Sequence, residues 1–195
     1  IVTDIKLAGT DLYLSSNNRG LRLLDTVNGN LVTLPTGIHD SQDGLKLVGD
    51  DLYIGLQGTG SSSAGIQIFN TTTNTYTAGR LLAGLPSNNV NAFLTTSSSN
   101  GAQEMVYIAT DNGVARWNST TNSWETALTA LDGLPISYVQ NLLEFNNNIW
   151  MTTPSGLSEF NSSSDSFTNY GTSNGLMGTS AWGLVGKATS GTSGS

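Results

Sequence analysis

The sequence has no cysteine, one histidine and few charged side chains. The absence of cysteine excludes a disulfide framework, a zinc site built on thiolates and a cysteine nucleophile. A single histidine, His39, excludes a metal centre with several imidazole ligands. No apolar run approaches the roughly 18 residues that a membrane-spanning helix requires. We therefore expect no direct membrane insertion.

Charge is scarce and mostly negative. Charged residues are 11% of the 195 residues, against roughly 25% in an ordinary soluble domain, and 14 acidic against 7 basic side chains give a net charge of -7. A surface of this sign repels phosphate backbones, so we expect no nucleic-acid partner. Serine, threonine, asparagine and glycine approach half of the chain. This composition favours an extracellular, periplasmic or cell-surface location.

A repeat becomes visible when the short apolar segments are aligned. Four segments each carry an aromatic residue that is flanked by aliphatic residues on both sides. These aromatic residues are Tyr13, Tyr53, Tyr107 and Trp150. A segment that is apolar on both faces predicts a strand that neighbouring layers cover on both sides.

Further strands surround each of these segments. A segment of alternating pattern follows at residues 20–25, 65–70, 113–118 and 156–161. Its large apolar residue is followed seven positions later by another, which predicts a hairpin of constant length because Asn, Asp and Gly fill the gap. These apolar pairs are Leu24 and Leu31, Phe69 and Tyr76, Trp117 and Trp124, and Phe160 and Phe167. One more strand precedes each unit, at residues 1–8, 45–49, 90–95 and 139–145, and the last is at 181–186.

Four short strands per unit, at a period of 43 to 48 residues and with no helical pattern, predict an all-β fold. The architecture that fits is a β-propeller of four-stranded antiparallel blades. The alternative is a two-sheet sandwich, but a sandwich does not require equal hairpins at equal spacing. The predicted units are blade 1 (1–37), blade 2 (38–87), blade 3 (88–136), blade 4 (137–178), the first strand of a further blade (179–188) and a flexible Ser/Gly/Thr tail (189–195).

Two segments of the third unit resemble a known repeat. Residues 85–92 (Leu-Pro-Ser-Asn-Asn-Val-Asn-Ala) and residues 106–118 are similar to the two-component-regulator propeller repeat. Residues 149–161 fit nearly as well, and the first two units diverge more. The resemblance implies a propeller of the type found in extracytoplasmic sensors upstream of histidine kinases and in secreted surface proteins.

Four complete blades and one extra strand lead us to expect a segment of a larger ring. The alternative is that the four blades close by themselves, since propellers close with four to eight blades. An unpaired strand carrying Trp182 and Val185 would, however, expose apolar surface. We therefore expect neighbouring blades or domains of a larger protein as partners. We also expect an isolated segment to self-associate through its open ends.

Ligands of propellers are expected at the face that carries the loops between blades and the loops joining second to third strands. The predicted ligand-binding residues in these loops are His39, Asp40, Arg80, Asn88, Asn89, Asp111, Asp132 and Tyr138. Asn18, Arg19, Asn112 and residues 57–63 belong to the same loops. The alternative role for most of these residues is turn formation, since Asp and Asn cap turns.

Three Asn-x-Ser/Thr sequences recur at one repeat position, at Asn70, Asn118 and Asn161. They are acceptors for N-glycosylation if the source organism glycosylates. The alternative is hairpin-turn chemistry that was copied with the repeat, which the first unit favours because it has Asp25 at that position.

The sequence predicts no enzyme. The lone His39 would have to serve any Ser-His-Asp triad, no stretch matches a calcium loop, and the Gly/Ser-rich residues 57–64 precede a strand rather than the helix a phosphate site needs. We expect no metal and no cofactor. The predicted function is recognition, as sensing or adhesion, with carbohydrate as a candidate ligand. The alternative is a structural repeat module of a large surface or filament protein that binds no small molecule.

Overall fold

The computed structural model describes residues 2–16, 20–34, 41–58, 65–77, 83–97, 104–118, 120–178, 180 and 183–186. These residues form four antiparallel sheets of four strands each. Sheet 1 contains β1 (Val2–Ala8), β2 (Asp11–Ser16), β3 (Arg22–Asp25) and β4 (Asn30–Thr33); sheet 2 contains β5 (Ser41–Val48), β6 (Asp51–Gln57), β7 (Gly65–Asn70) and β8 (Thr75–Tyr76). Sheet 3 contains β9 (Val90–Ser97), β10 (Glu104–Thr110), β11 (Gly113–Asn118) and β12 (Ser123–Leu128); sheet 4 contains β13 (Asn141–Phe145), β14 (Asn148–Thr153), β15 (Gly156–Asn161) and β16 (Ser166–Tyr170).

Strands in every sheet follow one another in chain order, as in the blades predicted from the repeat. The outer hairpins join the third strand to the fourth. Asn74, Asn122 and Asp165 adopt positive φ angles in the hairpins of sheets 2, 3 and 4, and Gly29 does so in sheet 1. These residue types tolerate that conformation, and this explains why the spacing between the paired apolar residues stays constant.

Three apolar clusters lie between successive sheets. The first joins Tyr13 of sheet 1 to Leu52 and Phe69 of sheet 2. The second joins sheets 2 and 3, and the third joins sheets 3 and 4. Each sheet therefore has a leading face, on the side of the preceding sheet, and a trailing face, on the side of the following one. Sheets 2 and 3 pack through both faces, sheet 1 through its trailing face and sheet 4 through its leading face. The aromatic residue of the second strand lies on the trailing face, as Tyr13 and Tyr107 show.

The first strands lie on the inside of the array. β1 packs on β5, β5 on β9, and β9 on β13. The blade-like arrangement agrees with the prediction, but the described residues form an array of four sheets in which no closed ring is present.

Two first strands begin at residues other than those predicted. β5 starts at Ser41 rather than Leu45, because a bulge at Gly44 lets the polar residues before it continue pairing with β6. β13 starts at Asn141 rather than Val139, because the Val139 N–H donates to the carbonyl of Thr110 in sheet 3. A bulge or a change of partner interrupts the apolar pattern from which strand ends are predicted.

The additional strand predicted at 181–186 is not seen in its described part. Residues 183–186 are in no strand, although they lie beside β13: a Cβ on Gly186 would come within 2.9 Å of Phe145 Cδ2. Residues 181–182 and the predicted tail, 189–195, lie outside the described residues. Among the residues described, no helix has the length and apolar character to cross a membrane.

Candidate functional site

A cavity of about 340 Å³ lies where the first strands of all four sheets come together. Each sheet supplies part of its wall, mostly from the beginning of its first strand. The lining residues are Thr3 and Asp4 from sheet 1, Gly44, Leu45 and Gln57 from sheet 2, Asn91, Ala92 and Phe93 from sheet 3, and Tyr138, Gln140 and Asn141 from sheet 4 and the segment before it. This position is on the face where the sequence predicted ligand binding.

A chain of amide side chains holds the wall between sheets 2, 3 and 4. The Gln57 side-chain amide donates to Asn91 Oδ1. Asn91 Nδ2 in turn donates to the Val139 carbonyl at 2.7 Å and to Asp111 Oδ1 at 3.2 Å. Asn89 Nδ2 donates to the other oxygen of Asp111 at 2.7 Å. Asn91 is therefore fixed from several sides, and its orientation in the cavity wall is set before any ligand arrives.

Asp4 is the carboxylate in the cavity wall, and both of its oxygens accept hydrogen bonds from backbone N–H groups. Asp4 Oδ1 accepts from its neighbour Ile5 N–H at 2.7 Å, and Asp4 Oδ2 accepts from Leu45 N–H at 2.6 Å. These bonds compensate the negative charge locally. Among the described lining residues there is no lysine, arginine or histidine, so this part of the wall offers no cation to an anionic ligand.

One acceptor in the wall has no partner. Gln140 Oε1 is buried and makes no hydrogen bond with any residue that the structure describes. A buried amide oxygen without a partner costs about 1–3 kcal/mol. A ligand hydroxyl or amide that donates to Gln140 would recover this loss on binding.

Of the predicted ligand residues, Tyr138 lines the cavity directly. Asn89 and Asp111 belong to the amide chain behind the wall. Asn88 accepts a backbone hydrogen bond from Gly65 N–H at 2.6 Å, which helps to position β7. Asp132 accepts from the backbone and hydroxyl of Thr129 and so caps a short 3-10 turn at residues 130–132.

The structure does not bring all of the predicted residues to one place. His39, Asp40 and Arg80 lie outside the described residues, as do Asn18 and Arg19. Asp132 acts as a turn former, as the alternative for these loops anticipated. Sequence reasoning missed Asp4, Asn91 and Gln140. A signal was available, because each is a polar residue close to the start of a first strand, next to apolar residues.

The three glycosylation sequences all begin outer hairpins. Asn70, Asn118 and Asn161 each accept hydrogen bonds from the backbone N–H groups two and three residues later. Asn118 is only 5% exposed, and its Nδ2 donates to Glu125 at 2.9 Å. Asn70 Nδ2 donates to Asp51 at 2.9 Å. The side chains thus stabilise the hairpin turn in all three sheets.

Within the described part of the chain, no three His, Asp or Glu side chains lie close enough together to form a metal site.

The comparisons with known proteins show similarity in fold and not in sequence family. No protein-family model and no curated protein sequence matches the chain. Among solved structures, the extracellular domain of the hybrid two-component system BT3049 from B. thetaiotaomicron is similar, with a TM-score of 0.64 and 20% identity over 92% of this chain and 23% of that chain. The extracellular domain of BT4673 from the same organism has a TM-score of 0.64 and 18% identity over 86% of this chain and 22% of that one.

A computationally designed protein, Ika4, is also similar, with a TM-score of 0.56 and 12% identity over 83% of this chain and 91% of that chain. These likenesses show a shared fold. The chain spans about a quarter of the length of the two bacterial domains. The two bacterial neighbours are extracellular domains of two-component systems, which is the setting implied by the propeller repeat that the sequence resembles.

Proposed function

We propose that this chain is a non-enzymatic recognition module that acts outside the cytoplasm, as part of a larger sensor or adhesion protein. The observation that carries the proposal is the cavity, whose wall is assembled from all four sheets. A site built on the strands of a rigid scaffold is preorganised for binding. The similarity to extracellular domains of two-component systems supports sensing and a location outside the cytoplasm.

The wall chemistry favours an uncharged polar ligand, and a neutral carbohydrate is our candidate. The amide oxygen of Gln140 can accept from a hydroxyl group, while the rings of Phe93 and Tyr138 offer apolar surface to a sugar face. The described wall lacks a cation, and the carboxylate of Asp4 is held by backbone N–H groups. In this proposal Tyr138 contacts the ligand, and Asn89 and Asp111 keep Asn91 in position.

Thermal unfolding in the presence of neutral oligosaccharides, with uronic-acid oligosaccharides as the charged comparison, tests this function. A ligand that binds only the folded state raises the midpoint as its occupancy rises. We expect a shift with a neutral sugar and none with its acidic counterpart. A panel that leaves the midpoint unchanged throughout would reject the carbohydrate assignment.

Gln140→Met gives a sharper version of the experiment. Removing an unpaired buried acceptor leaves the free protein equally or more stable. The same change takes away the acceptor for the ligand, so the ligand-induced shift should fall while the midpoint without ligand does not. Tyr138→Ala should also reduce the shift, because the ring surface is lost.

A scaffold module without a small ligand is the second candidate. One observation favours it: the leading face of sheet 1 exposes Ile5, Leu7 and Leu31. An apolar face that the described residues leave exposed favours contact with another protein surface. Under this function no small molecule shifts the unfolding midpoint, whereas a protein surface that packs on this face raises it.

A further inference from the structure

One side-chain amide in the cavity wall differs from its counterpart in the neighbouring sheet. By the repeat, Gln140 in front of β13 occupies the position that Asn91 has in β9, since Val139 and Val90 precede them. Asn91 Oδ1 accepts from the side-chain amide of Gln57, which lies at the end of β6 in the preceding sheet. Gln140 Oε1, by contrast, has no partner among the described residues.

The repeat explains why this oxygen lacks a partner. Asp111 directly follows β10 and stands at the position that Gln57 has in sheet 2. A carboxylate accepts hydrogen bonds and donates none, and both oxygens of Asp111 already accept from asparagine amides of sheet 3. The preceding sheet therefore offers Gln140 an acceptor where it offers Asn91 a donor. A donor to Gln140 Oε1 has to come from a bound molecule.

A second acceptor lies in the part of the wall that sheet 1 supplies. Each oxygen of a carboxylate can accept two hydrogen bonds, and each oxygen of Asp4 accepts one printed above, from the N–H of Ile5 or of Leu45. These bonds fix the orientation of the carboxylate and leave it able to accept another. A hydroxyl group that donates to Asp4 forms a charge-assisted hydrogen bond, which is stronger than one between neutral groups.

We propose that the cavity recognises one sugar ring through two of its hydroxyl groups, one of which donates to Gln140 Oε1 and the other to Asp4. This inference rests on the proposed function, in which the cavity binds a neutral carbohydrate. The cavity volume of about 340 Å³ is near the lower end of the about 300–1,000 Å³ range of ligand sites, so a single ring reaches both walls. The terminal torsion of a glutamine is soft, which lets the buried oxygen of Gln140 turn toward the ligand.

The arrangement selects for the hydrogen atoms of two hydroxyl groups. Both acceptors bond only to donors. An ether, an ester or a hydrogen atom at either position of the ring would leave Gln140 Oε1 or Asp4 without its ligand hydrogen bond. We therefore expect the site to take rings in which both hydroxyl groups are free, and to reject O-methylated, O-acetylated and deoxygenated forms.

Isothermal titration calorimetry with methyl glycosides tests this selectivity. The probes are the methyl glycosides of glucose, galactose, mannose, xylose and arabinose, followed by every monodeoxy form of the one that binds most tightly. Replacement of a hydroxyl group by hydrogen removes the donor without adding bulk. We expect two positions at which the deoxy form binds at least about fivefold more weakly, and smaller effects at the other positions.

The outcomes separate this inference from the proposed function. A glycoside that binds but loses affinity at fewer than two positions would overturn the two-hydroxyl recognition and leave the carbohydrate function in place. Binding of neutral oligosaccharides without binding of any methyl glycoside would overturn the recognition of a single ring. Failure of both groups of sugars to bind would reject the carbohydrate function itself.

Two variants assign the acceptors, with circular dichroism confirming that each is folded. Gln140→Met should bind the intact glycoside and one of the two deoxy forms equally, because the acceptor for that hydroxyl group is gone. Asp4→Asn, which keeps an oxygen for the Leu45 N–H, should lose most of the discrimination against the other deoxy form. Asn30→Leu removes an amide from the exposed strand β4 and is the control, which should change neither. Discrimination that persists in Gln140→Met or in Asp4→Asn would overturn the role of that residue.

Discussion

Asp4 Oδ2 accepts a 2.6 Å hydrogen bond from the backbone N–H of Leu45, 41 residues further along the chain. The bond joins β1 to β5 at the wall of the cavity. Comparable polar contacts occur at the other junctions, from Gln57 to Asn91 between sheets 2 and 3 and from Asn91 to Val139 between sheets 3 and 4. The groups that shape the cavity therefore also hold the sheets together.

Asp4→Ala should destabilise the protein by about 1–3 kcal/mol, since the partly buried N–H of Leu45 would lose its acceptor. Asp4→Asn should cost less, because the amide oxygen can still accept from one of the two N–H groups. Urea unfolding measures both. Asp50→Ala, at an exposed turn, is the control and should change stability by less than about 0.5 kcal/mol. Equal losses for Asp4→Ala and Asp50→Ala would contradict this role.

Gly156→Ala should be far more damaging than Gly29→Ala. Both glycines have positive φ angles, which cost an alanine about 1 kcal/mol. A Cβ at Gly156 would also lie 2.2 Å from the carbonyl oxygen of Tyr170, whereas one at Gly29 would meet nothing within 4 Å. Thermal unfolding should show a small shift for Gly29→Ala and a severalfold larger one for Gly156→Ala. Similar shifts would mean that the backbone at Gly156 adjusts easily.

Glycan occupancy in a glycosylating host should be lowest at Asn118. Its Nδ2, the atom that a glycan would modify, is engaged by Glu125 in a nearly buried side chain. Asn161 is more accessible and should be occupied most. Peptide mass spectrometry of the folded, secreted protein gives the three occupancies. Full occupancy at Asn118 with an unchanged unfolding midpoint would show that the hairpin does not need this amide.

Alkaline solution should unfold the protein through its tyrosines. Burial raises the pKa of Tyr76 to about 12, and burial also raises the pKa of Tyr13, Tyr53 and Tyr107 above 10.0. Because the tyrosines of the unfolded chain ionise first, the stabilisation is complete below pH 10 and is lost as the pH rises toward 12. Tyr76→Phe keeps the ring that packs edge-on against Phe69.

Circular dichroism during a pH titration should therefore place the unfolding midpoint of Tyr76→Phe at higher pH than that of the unaltered protein. Phenolate absorbance, followed in the same samples, should rise with unfolding rather than before it. Identical midpoints for the two proteins would show that ionisation of Tyr76 does not drive the transition.

The four sheets and their strand order could be read from the sequence because the information is local. Alternation of apolar residues, an aromatic in the second strand and Asn or Asp in the hairpin are each properties of a few neighbouring residues. The sixteen strands in four sheets that the described residues form confirm these predictions. The strand ends at Ser41 and Asn141 were missed, because a bulge and a hydrogen bond to another sheet decide them.

The candidate site was predictable only in part. The loop face and Tyr138 followed from the repeat, and Asp132 proved to be a turn former. Asn91 and Gln140 were missed because the role of a polar residue at the start of a strand depends on which groups of the neighbouring sheet it contacts. Residues such as His39 and Arg80, which lie outside the described part, stay predictions.

The sequence by itself determined the number of units, their antiparallel strand order and the fixed hairpins, since all of these depend on contacts between near neighbours in the chain. Tertiary structure alone decided which polar groups face the shared cavity and which apolar side chains the described residues leave exposed. Leu12 and Leu52 occupy the same repeat position, yet only Leu52 is fully buried. Burial depends on which sheet packs on a residue, and a local pattern cannot contain that information.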